Sequence, residues 1–177
     1  MRFLETDIGG VFEVELERFE DKRGFFAEAF QTSKFGEQGL ETRIAQTNIS
    51  YNHERGVIRG LHLQVPPMAQ AKLVRCTRGS IFDVAVDLRP SSPTFKRWVG
   101  VTLTAENRRM LYLPAESMAH GYQSLEPGTE VEYLAFELWS PGDERGYRYD
   151  DPAFGIEWPI SPPIVSGKDE SWDTFKG

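Results

Sequence analysis

The chain is poor in the residues that would build disulfides, metal clusters or membrane spans. It has a single cysteine, Cys76, and only three histidines, His53, His62 and His120. One cysteine excludes an internal disulfide framework and suits a reducing compartment. Cys76 follows Lys72 in an apolar run, where a small buried hydrophobe is expected. No segment approaches the roughly 20 consecutive apolar residues of a membrane-spanning helix. The N-terminus lacks the basic-then-apolar pattern of a secretory leader. A soluble, cytoplasmic protein is therefore expected. Positive charge is also in deficit, with 20 Lys and Arg against 27 Asp and Glu and a formal net charge of -7. That balance argues against a nucleic-acid polymer or an anionic membrane as partner, but leaves room for a local arginine cluster to bind a small anion. The length, 177 residues, fits one domain spanning 1–177 with a sizeable buried core.

Helical periodicity is scarce as well. Thr32 to Glu37 is the best helix candidate, with Thr32 or Ser33 as its cap. What recurs instead is short β-rich segments between Gly, Pro, Asn and Asp: Val11–Leu16, Ile81–Leu88, Trp98–Leu103, Arg109–Leu113 and Val131–Phe136. Strands at this spacing predict an all-β sandwich, jelly roll or barrel with a few short helices. In Ile81–Leu88, alternation sends Phe82, Val84, Val86 and Leu88 one way and Asp83, Ala85 and Asp87 the other. A half-buried strand with Asp83 in solvent is the expectation. The polar stretch after Pro162-Pro163 is expected to close over one end of the barrel.

The densest chemistry lies in Arg59-Gly60-Leu61-His62-Leu63-Gln64 and, shortly after, Lys72-Leu73-Val74-Arg75. Strand alternation puts Leu61 and Leu63 on one face, His62 and Gln64 on the other. A base, a polar anchor and a cation close together suit proton abstraction beside a carbonyl, the cation holding the oxyanion. The same pattern equally describes a wet strand face. His53 lies in a turn-like, solvent-exposed segment.

His120 sits six residues after Pro114 and just before Gly121, which resembles the second conserved block of cupins. The first cupin block normally adds two histidines and a glutamate as metal ligands. Here His62 is followed by Leu63 and Gln64, and Lys72 stands near where an acidic ligand would be sought. An ammonium repels a divalent cation, so a jelly roll without metal or other cofactor is expected.

Ordered motifs along nearly the whole chain make the resemblance specific. They include Asp21–Glu28, Gln46-Thr47-Asn48, Gly56–Gln64, Gln70–Arg75, Phe82–Arg89, Ala119-His120-Gly121, Trp139-Ser140-Pro141, Ile156–Pro159 and Ser166–Asp169. The chain resembles the dTDP-4-dehydrorhamnose 3,5-epimerase family. The resemblance implies a cupin-like jelly roll and a substrate that is a nucleoside-diphosphate 4-keto-6-deoxyhexose. It implies His62 as general base oriented by Asp169, Lys72 as enolate stabiliser and Tyr133 as the opposing acid. It further implies contacts to nucleotide and sugar from Arg23, Arg59, Lys168, Glu28, Gln46, Asn48, Glu144, His120 and Trp139, and a homodimer whose N-terminal region reaches the partner's sheet or site. Trp139 as a core aromatic is the alternative reading. Departures from the family pattern at Thr47, Leu63, Ser117-Met118, Leu134 and Leu138 alter the pocket wall without removing a catalytic group. They leave open the sugar, the nucleotide base and whether C3 alone is inverted; a 3,4-ketoisomerase and a non-catalytic sugar-nucleotide-binding module are the further alternatives.

Overall fold

The structure, a computed structural model, describes residues 1–176; Gly177 at the expected domain boundary lies outside them. The strands are β1 (Arg2–Glu5), β2 (Phe12–Glu15), β3 (Phe19–Asp21), β4 (Gly24–Phe26), β5 (Gln46–Asn52), β6 (Val57–Gln64) and β7 (Lys72–Arg78). They continue as β8 (Ser80–Asp87), β9 (Trp98–Thr104), β10 (Met110–Leu113), β11 (Met118–Ser124), β12 (Thr129–Ala135), β13 (Glu144–Gly146) and β14 (Ile164–Val165). Two short helices, α1 (Thr32–Glu37) and α2 (Gly167–Glu170), complete the secondary structure. The expected all-β architecture is therefore found.

One sheet has the order β1-β2-β10-β7-β12-β5 and the other β13-β6-β11-β8-β9, with β14 added parallel to β6. They face each other as a cupin-like jelly roll. Between them pack Val74, Cys76, Leu111 and Val131 from the first sheet against Ile81, Ala85, Leu103 and Tyr122 from the second. Cys76 is buried as expected, and burial pushes its thiol up to about 11. The outer face of the first sheet is covered by α1, whose Phe35 is fully buried against Leu73, Met110 and Tyr112. The helix occupies the expected residues, but its cap differs. Gln31 is the capping residue and makes no side-chain cap bond, because Thr32 and Ser33 already lie within the first turn. Phe35 therefore anchors this short helix by burial rather than by capping.

The outer face of the second sheet is covered too. Leu61, Leu63, Val84 and Val86 pack beneath Tyr147, Phe154, Trp158 and Phe175 of the C-terminal segment. This corrects the half-buried reading of β8, for the strand is enclosed on both faces and Asp83 and Asp87 are fully buried. Asp87 accepts hydrogen bonds from Arg89, Ser92 and Thr94. Burial alone would raise its pKa, yet these donors outweigh it and hold the carboxyl well below the usual range. Asp83 is part of the site described next. Among the described residues, no helix is long and apolar enough to cross a membrane.

Candidate functional site

Because apolar residues of β6 face outward under the C-terminal segment, His62 and Gln64 face inward, between the sheets. The opposing strands present Lys72 from β7, Tyr133 from β12, and Gln46 and Asn48 from β5. Two adjoining cavities of about 310 and 280 Å³ open here and share His62, Lys72 and Tyr133 as lining. The first also holds Gln64, Trp139 and Glu144; the second holds Arg59, His120, Lys168 and Asp169. Their size suits a small-molecule ligand. A pocket, not a wet strand face, is the environment of His62.

Local backbone geometry brings the histidines together. Gly60 has a φ of +128°, and a Cβ there would lie 2.5 Å from the Gly121 Cα. The absence of side chains lets β6 approach β11 closely where His62 and His120 are register partners. Each histidine then meets a carboxylate from elsewhere in the fold. His62 Nε2 lies 2.6 Å from Asp169 Oδ1, and His120 Nε2 lies 2.7 Å from Asp83 Oδ1. Asp169 rides on α2, whose capping Ser166 accepts from the Asp169 N–H. Burial would raise the Asp169 pKa, but hydrogen bonding and charge from His62, with donors from Gly60 and Ser166, bring it below the ordinary value. The polar C-terminal stretch, paired with β6 through β14 and packed on the outer face of the second sheet through Phe175, thus delivers a carboxylate to His62.

Among the described residues, the Lys72 ammonium has no side-chain hydrogen bond or ion pair, while its backbone lies in the ladder between β10 and β12. Burial lowers its pKa to about 8, against upward pulls from Glu144 and Asp83. Burial likewise raises Tyr133, so its phenol is neutral and able to donate at neutral pH. Arg59 is fixed by Asn52 Oδ1 at 2.9 Å and the Tyr51 carbonyl at 3.2 Å. Lys168 pairs with Glu144 at 2.7 Å. Trp139 is 57% exposed at the pocket edge rather than in the core.

Two expected residues are not gathered into this pocket. Arg23 is exposed on the β3–β4 hairpin, held by Asp21, and Glu28 pairs with Lys34. His53 is exposed, as its turn-like context predicts. Conversely, Gln70, Tyr122 and Ser50 line the cavities although they were not among the expected site residues, and Asp83, expected in solvent, is buried against His120. For Asp83 a signal existed: it shares an alternation face with Ala85 in an otherwise apolar strand. Its second oxygen, Oδ2, is buried without a partner among the described residues. Among those residues no group of three or more His, Cys, Asp or Glu forms a metal-ligand set.

A histidine–carboxylate pair on one sheet, facing a half-buried lysine and a tyrosine on the other, is the equipment of an acid–base isomerase on a jelly roll. Comparison with known proteins agrees. The sequence profile of the dTDP-4-dehydrorhamnose 3,5-epimerase family matches residues 5–177. The dTDP-4-dehydrorhamnose 3,5-epimerase of Shigella flexneri is 45% identical over 176 residues, covering 99% of this chain and 96% of its own. The crystal structure of the Elizabethkingia anophelis enzyme of that name superposes with a TM-score of 0.95 at 38% identity, covering 99% of this chain and 97% of that one. The Bacillus anthracis enzyme, solved with TDP and pyrophosphate bound, gives 0.93 at 39% identity, covering 98% and 99%. The chain belongs to the dTDP-4-dehydrorhamnose 3,5-epimerase family, and is accordingly an isomerase of the racemase and epimerase class.

The seat of α2 generates a test. The Trp172 ring lies flat against Gly146, where a Cβ would come within 2.3 Å of it, and its centroid is 6.3 Å from that of His62. Gly146→Ala must displace Trp172 and with it the segment carrying Asp169. We expect kcat to fall at least about tenfold while the thermal midpoint drops by only a few degrees. Steady-state kinetics beside a melting curve checks this, and an unchanged kcat would show that the indole does not seat Asp169.

Proposed function

We propose that the protein epimerises a dTDP-4-keto-6-deoxyhexose at C3 and C5, converting dTDP-4-dehydro-6-deoxy-D-glucose to dTDP-4-dehydro-L-rhamnose in deoxysugar biosynthesis. The observation that carries this reading is the His62–Asp169 pair facing Lys72 and Tyr133 across one cavity. The hydrogens on C3 and C5 are α to the C4 ketone, so each can leave as a proton if the resulting enolate is stabilised. With Nε2 engaged by Asp169, His62 has Nδ1 free to take the proton. The carboxylate fixes that tautomer and supports the imidazolium that forms. Lys72, held in a partly desolvated wall, stabilises the enolate oxygen on C4; such a donor typically supplies about two to three orders of magnitude in rate. Tyr133, on the facing sheet, returns a proton to the opposite face of the carbon, which inverts the centre. His62 then gives its proton to solvent and the Tyr133 phenolate regains one from it, which resets both groups, and the cycle repeats at the second carbon. The chemistry needs no redox or metal partner in this scheme.

Arg59 and Lys168 are the cations assigned to the diphosphate, guanidinium offering a paired fork and ammonium a point charge. Gln46, Asn48, Glu144, His120 and Trp139 are assigned to sugar, ribose or base. Arg23 and Glu28 fit the same scheme if residues 1–177 act as one domain in a cytoplasmic homodimer, the β3–β4 hairpin crossing to the second copy. The hairpin carries Phe19 and Phe26 at 58% and 68% exposure, an apolar surface suited to a partner. Sedimentation equilibrium is expected to give twice the chain mass of 20.2 kDa, and a monomer at micromolar concentration would reject the crossing.

The decisive assay is NMR of the product from dTDP-4-keto-6-deoxyglucose in deuterated water. Label is expected at both C3 and C5, with the C4 carbonyl retained. Label at C3 alone would reduce the activity to a single epimerisation, and a 3-keto product would make it an isomerase of another kind. His62→Ala is expected to abolish solvent exchange while leaving dTDP affinity within about threefold; undiminished turnover would reject the base assignment. The Lys72 ammonium is charged below its pKa of about 8 and neutral above it. The rate should therefore fall as pH rises through about 8, and Lys72→Arg, which keeps its charge, should lack that limb. Identical alkaline limbs in both proteins would remove Lys72 from the pH dependence.

A further inference from the structure

Three glutamine side chains that line the first cavity all turn their amides onto one short stretch of backbone. Gln64 is 4% exposed; its Nε2 donates to the Leu138 carbonyl at 3.1 Å and its Oε1 accepts from the Ser140 N–H at 2.8 Å. The second Nε2 proton goes to the Met68 carbonyl at 2.6 Å, tying in the loop after β6. Gln46 Oε1 accepts from the Trp139 N–H at 2.8 Å, and Gln70 Nε2 donates to the Glu137 carbonyl. Every residue from 137 to 140 is thus held by a side-chain amide from β5, β6 or the loop before β7. Backbone ladders hold little of this stretch, since β12 ends at Ala135 and β13 begins at Glu144.

An irregular run with exposed Leu138 and Trp139 would ordinarily be a mobile loop. Here its peptide groups are captured from the cavity side. Both protons and one lone pair of the Gln64 amide are committed to protein, so a substrate contact is a poor use for it. We propose that Gln64, acting with Gln46 and Gln70, is a positioning residue that makes the 137–140 segment a preformed wall of the site and so sets affinity for the nucleotide sugar rather than the rate of proton transfer. The part concerning the sugar rests on the function proposed above; the part concerning the wall does not. Rigidity before binding lowers the ordering cost of the complex, which raises affinity without new contacts. The arrangement also separates two roles within β6, since His62 does chemistry while Gln64, two residues on and on the same face, holds the wall.

The test is Gln64→Met, which keeps the side chain's length and apolar stem but removes the amide. Amide hydrogen exchange of the unliganded protein, resolved over 137–140, is expected to speed up about tenfold or more at Ser140, with KM for the dTDP-4-keto sugar and Kd for dTDP rising about tenfold and kcat staying within about threefold. Gln70→Met, which removes a single bond on a half-buried side chain, is expected to move the same quantities in the same direction by less. It also keeps the test decisive if the first variant folds poorly. Unchanged exchange at 137–140 in both variants overturns the proposal, as does faster exchange with unaltered dTDP affinity. A fall in kcat at unchanged KM overturns it as well, assigning the amide to chemistry. If the wild-type protein turned over no dTDP-4-keto sugar, the functional reading would fail, while exchange and calorimetric dTDP affinity would still decide the wall.

Discussion

The bond between His62 Nε2 and Asp169 Oδ1 ties together residues 107 positions apart and is the contact on which the rest of the site depends. It links the central part of one sheet to the C-terminal segment, and it can form only because that segment is bound down along the sheet's outer face. Leu61 and Leu63 make that binding possible by packing beneath Tyr147, Phe154 and Phe175. The same strand therefore uses its apolar face to attach the segment and turns its polar face to the cavity that the segment completes. Gly146 and Trp172 finish the attachment beside the imidazole. An enclosed histidine–carboxylate pair is expensive to desolvate, and each partner satisfies the other.

Charge is distributed with the same economy of position. An overall acidic chain lines its cavity with Lys72, Arg59 and Lys168, an arrangement that focuses positive potential where an anionic ligand would sit. Lys72 is the most exacting of the three, because burial brings its pKa near neutrality, to about 8. In the proposed mechanism, a lysine so placed is charged when the enolate forms beside it. Asp83, fully buried beside His120, supplies part of the negative field that keeps it protonated.

Much of this was legible along the chain. The spacing of β-rich segments predicted an all-β sandwich, α1 falls on the residues expected, and the alternation of Leu61, His62, Leu63 and Gln64 assigned their faces correctly. Central strand β11 was harder to see, because Ala119-His120-Gly121-Tyr122-Gln123-Ser124 has little β-branched character and a glycine at its middle. That glycine is there for close approach to Gly60, a requirement set by a strand some sixty positions away in sequence. Asp83 was misjudged for a related reason. A period of two says that its face differs from that of Val84, but it does not say whether the second face meets water or another sheet.

What the sequence by itself determined is therefore the local alphabet of the fold: strands of period two, their turns, the residues able to exchange protons, and the ordered motifs that mark the family. Alternation and composition act over a few residues, and a one-dimensional reading has access to them. Only the tertiary structure decided which of the two faces is inside. It covered both outer faces, turned the polar face of β6 inward, paired each histidine with a distant carboxylate, and left Arg23 and Glu28 outside the pocket of a single chain. Those outcomes depend on which surfaces find partners when the chain condenses, and burial is a property of the assembled molecule.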